Sequence, residues 1–310
     1  MVTFAEPSSP ISTQEAYRYE SDENKGWIPV DFCQCPTLSA SELRLITWNL
    51  NAGGPNPTKR FSRILAHLRR IVFQESAPEA SCILFQETHV DTLQAILDSS
   101  WIRDHFIVTP ITGQLWTTPY GLVSLISKNI PLSRVFHIEL PLTRVGRQAL
   151  FIDVHLSNTA EVNESSKKVQ IAKTNRTLRI ANTHLEPESS NGFRIRPKQL
   201  RIIAQMLNVA NVHASICAGS MVSVQDVDQT APAQVGFVDA YNGVLKGSET
   251  WGRTPHQINL PPGRLDKILY FPTEWVEVGS PRRVGDKIMP LNEVFPSDHF
   301  GLLSIIKVSK

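Results

Sequence analysis

From Leu43 onward the chain alternates short apolar runs with helical patterns and polar connections. "LRLITWNLN" (residues 43–51) is an apolar run closing on polar residues, and it predicts a strand followed by the loop "GGPNP". Phe61, Ile64, Leu65, Leu68 and Val72 then recur at helical spacing. "SCILFQE" predicts a nearly continuous buried strand that ends on Glu87. "YGLVSLISK", "ALFIDVHL" and "LRIANTHLE" predict three more strands, the last two joined by a polar connection around residues 161–173. Pro197 is placed to open a helix whose Leu200, Ile203, Ala204 and Leu207 form one apolar face. "SICAGS", "RLDKILY" and "FGLLSIIKV" complete the strands, and no segment repeats. Many strands with few helices predict two packed sheets with helices outside, in one domain over residues 41–310.

Residues 1–40 are different in kind. They are rich in Ser, Pro and Glu, lack sustained periodicity, and carry two basic against six acidic side chains. A flexible N-terminal segment is expected, removable without unfolding the domain, with residues 27–32 docking on it. The whole chain is formally +2, so the remainder carries +6, a balance that favours an anionic partner.

Other classes drop out. No run of about 18 apolar residues exists, so no membrane span is expected and no membrane partner is inferred. The N-terminus lacks the basic start and apolar stretch of a secretory signal. Cys82 and Cys217 lie in apolar runs and predict buried thiols. Cys33 and Cys35 are too close for an unstrained bridge and have no second pair to complete a zinc site. A monomer in a reducing compartment, nucleus or cytoplasm, is the expectation.

The polar residues in the strand pattern carry the chemistry. Asn49, Glu87, His184 and Asp266 fall at or near strand ends, and Ser297–Asp298–His299 precedes the last strand. One such residue signifies a structural hydrogen bond; five in strands sharing a core are a candidate site. A carboxylate emerging from "CILFQE" is costly unless a cation or donor meets it. Glutamate and asparagine oxygens suit a hard ion, Mg²⁺ or Mn²⁺, that keeps much of its water. A histidine beside a buried aspartate suits proton transfer or stabilisation of a charged oxygen.

"TWNLN", "LFQET", "NTHLE", "GRLDKILY" and "SDHFGLL", in that order, resemble the signature segments of the endonuclease/exonuclease/phosphatase superfamily. The resemblance runs from about Leu43 to the C-terminus and is nearest to the tyrosyl-DNA phosphodiesterase 2 group. It implies the DNase-I-like fold, a four-layer α/β/β/α sandwich of two mixed sheets, and metal-dependent hydrolysis of a phosphodiester, DNA among the substrates. It further implies Glu87 as the principal Mg²⁺ ligand, with Asn49 helping to hold the metal site. His184 would contact the scissile phosphate. His299 would stabilise its developing charge, oriented by Asp266 and flanked by Asp298. Trp251 in "SETWGR" matches a substrate-packing position or belongs to the core. Arg147 in "VGRQAL" faces a phosphate or solvent. Arg194, Arg196, Lys198 and Arg201 form either a nucleic-acid-facing ridge or a solvated helix start.

One segment departs from the pattern. Where the family has Gly-Asp-x-Asn, this chain has Gly219-Ser220-Met221-Val222. Ser220 cannot act as a base and Val222 offers no side-chain hydrogen bond. The nearest later carboxylates, Asp226 and Asp228, substitute only if the loop folds back. Two functions therefore stay open: a phosphodiesterase with reduced or altered chemistry, and a degenerate relative that binds without hydrolysing or uses the cleft for another reaction.

Overall fold

The near-continuous apolar runs become strands whose two faces are both covered, which is why they do not alternate cleanly with polar residues. The computed structural model describes residues 10–309 except 23–24, 33–36, 157–158, 163–170, 175, 189–190, 253–260 and 293; Cys33 and Cys35 thus lie outside the described residues. One sheet runs in the order β1 (Ile11–Thr13), β8 (Leu132–Glu139), β9 (Gln148–His155), β12 (Thr177–His184), β13 (Ala214–Ser220), β15 (Asp266–Tyr270), β14 (Val238–Asp239). The other runs β16 (Val276–Val278), β18 (Gly301–Val308), β4 (Glu42–Asn49), β5 (Ser81–His89), β7 (Tyr120–Ser127), β6 (Phe106–Thr109), β2 (Tyr17–Glu20), β3 (Gly26–Pro29), with β17 (Arg282–Val284) also on β18. The polar connection after β9 contains a separate hairpin, β10 (Thr159–Val162) on β11 (Ile171–Thr174).

The sheets pack face to face. Leu43, Leu45, Cys82 and Leu84 of one meet Val135, Ile152, Ile180, Ile216 and Ile268 of the other in a single core. Side chains of alternate residues point the other way. Ile46, Trp48, Ile83 and Phe85 pack beneath α1 (Pro57–His67), α2 (Val90–Asp98) and α3 (Ser100–His105). Phe136, Phe151, Ala181 and Cys217 pack beneath α4 (Gly192–Leu207) and α5 (Asp226–Gln234). Three apolar layers between four structural layers make the expected α/β/β/α sandwich. Cys82 and Cys217 are fully buried, and burial pushes the Cys82 thiol up to about 12.

Two expectations are corrected. The segment before residue 41 is not merely flexible: β1 pairs β8, with Ile11 opposite Ile138, and the β2–β3 hairpin extends the other sheet through β6. Ala16 is buried, Trp27 packs on the outer core, and Val30 and Phe32 pack on the inner one, so the docking of residues 27–32 is met. Edge strands are held by backbone hydrogen bonds to a neighbour, which composition does not reveal. A chain beginning at residue 41 is therefore expected to lose at least about 3 kcal/mol in urea denaturation, the scale of one or two buried apolar side chains. An unchanged midpoint would show that the strands are ornamental.

The helix predicted to open at Pro197 begins instead at Gly192. Its first turn is anchored by Arg196, whose buried guanidinium bonds both carboxylate oxygens of Asp228 and also Glu188. A buried charge needs such partners. Arg196 therefore does not belong to an exposed ridge; Arg194, Lys198 and Arg201 are the exposed members of that cluster.

Candidate active site

Strand register gathers the candidates at one end of the sandwich. β4 and β5 run parallel with Asn49 opposite Gln86, and β12 and β13 run parallel with His184 opposite Ser220. β15 runs antiparallel to β13 and starts with Asp266 opposite Ser220. β18 runs antiparallel to β4 and begins two residues after His299.

Glu87 reaches the cleft because β5 is irregular there. The pairing with β7 shifts between Phe85 and Thr88, and Glu87 takes a left-handed φ of 50°. Bulges of this kind re-aim a side chain, and a non-glycine residue holds that conformation only when its surroundings impose it. Asn49 Nδ2 donates to Glu87 Oε1 (3.1 Å), and the Ala52 amide donates to Oε2 (3.0 Å). His184 Nε2 lies 3.7 Å from Glu87 Oε1. Arg147 Nη1 lies 2.9 Å from His184 Nδ1. A guanidinium only donates, so Nδ1 accepts and the proton of the neutral ring sits on Nε2, on the Glu87 side. Arg147 is buried rather than solvent-facing.

The second group is built on the last turn. His299 Nδ1 donates to Asp266 Oδ2 at 2.7 Å, leaving Nε2 as its second ring donor. Ser297 Oγ donates to the Asn49 carbonyl (2.7 Å) and accepts the His299 amide (3.0 Å), tying this turn to the end of β4. Trp251 bridges in backbone pairing to His299, and its indole Nε1 donates to Asp298 Oδ2 (3.1 Å).

The two histidines are pushed in opposite directions. Burial, then the Arg147 charge, then His299 hold His184 well below its ordinary value, so it stays neutral. Burial also opposes a charge on His299, but Asp266, Asp298 and Glu87 outweigh it and push it up to about 9. One neutral imidazole and one imidazolium face the same cleft. That pair is suited to hold an anion and to stabilise charge that grows on it.

Three supporting residues were not legible in sequence. Buried Arg60 donates to the carbonyls of Leu50, Asn51, Pro55 and Pro296, fixing the loop that carries the Ala52 amide. Trp48 donates to the His299 carbonyl from a niche where a Cβ on Gly285 or Gly301 would come within 2.3 or 2.8 Å of its ring. Thr250 accepts the Asp266 amide (3.0 Å) and lies beside Trp251. Each acts through backbone groups brought together from distant segments, which no spacing rule marks.

No family model matches the sequence, and no curated protein matches it by sequence. Solved structures match it by shape. D. rerio TDP2, complexed with a single-strand DNA product, aligns over 87% of this chain and 100% of its own, with a TM-score of 0.63 and 18% identity. An endonuclease/exonuclease/phosphatase from Bacteroides vulgatus aligns over 87% and 100%, with a TM-score of 0.60 and 15% identity. The human Nocturnin catalytic domain, with a bound sulfate anion, aligns over 87% and 95%, with a TM-score of 0.55 and 18% identity. The chain has the DNase-I-like fold.

Within this DNase-I-like fold the end of β13 and the turn after it, residues 219–222, carry no ionisable side chain. Gly219 has φ 147°, and a Cβ there would lie 1.9 Å from the Thr183 carbonyl oxygen, so only glycine fits. Ser220 is buried between His184 and Asp266 in the strand row, and its Oγ has no hydrogen-bond partner among the described residues. Val222 is buried with φ 49°, a conformation asparagine adopts readily and a β-branched residue does not. The loop does not fold back to replace them. Both oxygens of Asp228 are taken by Arg196, and Asp226 lies exposed at the start of α5.

The Glu87 carboxylate is open enough to be tested as a metal ligand. Each Glu87 oxygen accepts one neutral hydrogen bond out of a carboxylate capacity of about four lone-pair sites. Its side chain is 22% exposed toward the cleft. One accessible carboxylate beside an amide fits Mg²⁺ or Mn²⁺, which bind through few protein oxygens. Asn49 contributes by fixing Glu87, because its own Oδ1 accepts the Asn51 amide.

Proposed function

We propose that the chain is a metal-assisted phosphodiesterase-type hydrolase, acting on a phosphodiester such as a DNA end, whose hydrolytic step is slowed by the loss of a carboxylate at position 220. The observation that carries this reading is the Glu87 carboxylate, held by Asn49 and Ala52, in one cleft with an Asp266-bonded His299. Mg²⁺ or Mn²⁺ held by Glu87 would polarise a phosphoryl oxygen and offset its charge. His299, protonated, donates through Nε2 to another phosphoryl oxygen as negative charge develops there. Asp266 fixes the orientation of that ring. His184, neutral, offers a second Nε2–H, and Arg147 adds a fixed positive charge behind it. Trp251 keeps Asp298 in place beside the imidazolium.

What is missing is a group to take the proton of the attacking water. A general base contributes about 10²- to 10⁴-fold, and one oxyanion-type donor about 10²- to 10³-fold. A second reading, binding without hydrolysis, is favoured by the same buried Ser220 and Val222 and by the commitment of Asp228 to Arg196. Hydrolysis of a bis-nitrophenyl phosphate and of a tyrosyl-DNA end, with and without Mg²⁺, separates the two. Turnover above the level of the His299→Ala variant supports the first; binding lost in that variant with no turnover supports the second.

Metal binding is checked without activity. At about ten times Kd, Mg²⁺ should stabilise the protein by about 1.4 kcal/mol, a Tm rise of a few degrees. Glu87→Gln should abolish the rise. A wild-type Tm that does not respond to the metal would remove Glu87 as a ligand.

A further inference from the structure

The outer face of α1 carries a groove that the hydrolytic chemistry does not use. Residues 57–73 hold five lysines and arginines and no acidic residue. Arg60 is buried; Lys59, Arg63, Arg69 and Arg70 reach the surface. The second wall is the connection between β17 and β18, clamped to α1 by Arg63. Its Nη1 donates to the Val294 carbonyl (3.0 Å) and its Nη2 to the Met289 carbonyl. Open cavities of 180 and 420 Å³ flank this clamp and share Arg63. Together they run along the helix from Asn56 to Ile71, about 22 Å at a rise of about 1.5 Å per residue.

The groove is apolar as well as basic. Ile71, Met289 and Leu291 are 60%, 76% and 59% exposed, and Ile288 lines the larger cavity. Ile71 is presented by a π-helical turn, Leu68–Val72, in which the Phe73 amide donates to the Leu68 carbonyl (2.9 Å). That wide turn keeps Leu68 and Val72 in the core while Ile71 faces out, and such turns are frequent at functional sites. The acids beside the groove are Glu75, which pairs with Arg69 (3.1 Å) and Arg70 (3.6 Å), and Asp286 near His67. Glu293 lies outside the described residues. Lys59 and Lys287 are exposed and form no ion pair among the described residues.

We propose that this groove docks an acidic amphipathic helix of another protein. Its length matches about four helical turns. The apolar face of such a helix covers Ile71, Ile288 and Leu291, and its carboxylates meet Lys59, Arg70 and Lys287. Single-stranded nucleic acid calls for aromatic platforms, and no Trp, Tyr or Phe lines either cavity. His67, the one ring there, is already packed on Trp48 and accepts the Gly285 amide (3.2 Å). A flat bilayer does not enter a space between two walls. No residue lines both this groove and the pocket around Glu87 and His184, so a docked partner leaves that pocket open.

The test is fluorescence anisotropy of the full chain in EDTA with labelled probes. These are a Glu/Leu peptide of about 15 residues with leucines at helical spacing, the same composition scrambled, and a single-stranded oligonucleotide. The expected result is saturable binding of the first peptide, at least about tenfold tighter than of the scrambled one. It should persist in part at high salt, since only the charge component is screened. Lys59→Glu with Lys287→Glu, and separately Ile71→Asp, should each weaken it at least about tenfold. All three side chains are exposed, so Tm should not change. Glu87→Gln should bind the peptide as the wild type does. Absence of binding, equal binding of the scrambled peptide, or groove variants that bind like the wild type overturns the docking site. An oligonucleotide held by the same lysines, with no peptide bound, overturns it in favour of nucleic acid. None of these outcomes touches the phosphodiesterase reading, which rests on other residues.

Discussion

Ser220→Asp combined with Val222→Asn is expected to raise phosphodiesterase activity by at least about 10²-fold, the lower end of what a base and a phosphate donor supply. Residue 220 sits in register between His184 and Asp266, so a carboxylate there stands in the row of strand ends that lines the cleft. Gly219 keeps the backbone that delivers it. A buried carboxylate beside Asp266 is costly, but the His299 imidazolium is bonded to that aspartate and offsets the added charge. The exchange at 222 removes buried methyl groups yet relieves a left-handed β-branched residue, an effect of order 1–3 kcal/mol in the favourable direction. The double variant should consequently fold. The gains of the two substitutions are not expected to multiply, since residues serving one step act as a unit. His299→Ala in the double variant should remove the gain. Flat activity in a folded, metal-binding double variant would shift the weight to binding without hydrolysis.

Stability contributed by the site in EDTA should pass through a maximum near pH 6.5 and fall on both sides. His299 has a folded value raised from 6.5 to about 9. Its contribution is fully present below pH 6.5 and is lost as pH rises through 9, because above 6.5 only the folded state still holds the proton. The size is about 3 kcal/mol. His184 behaves oppositely. Its folded value is depressed, so below pH 6.5 the unfolded chain takes up a proton that the folded protein refuses, and stability falls. His67 and His137, lowered by burial, add to that acid limb. Asp266→Asn isolates His299: the loss of stability relative to wild type should be largest near pH 6 and shrink as pH approaches 9. Urea denaturation across this range checks it, and a pH-independent difference would mean that His299 is not the imidazolium described here.

The sequence by itself determined the layers and the ends of the site strands. Apolar runs long enough to be covered on both faces leave two packed sheets with helices outside, and a polar residue at the end of such a run must emerge into a cleft. That logic put Asn49, Glu87, His184 and Asp266 at strand ends and His299 in the turn before the last strand; the family resemblance marked Ser220 and Val222 as the departure. Tertiary structure decided the rest. The strands β1 and β2 depend on backbone partners far away in the chain, β8 and β6. Arg196, one of four similar basic residues in sequence, is buried only because Asp228 comes from another helix to meet it. Arg147, left between phosphate and solvent by its pattern, is buried against His184. The opposite charge states of two histidines in one cleft follow from which neighbour each one meets, a cation for His184 and a carboxylate for His299. Periodicity reports which face of an element is covered; only the folded chain sets the distance between charges on different elements, and electrostatic energy depends on that distance.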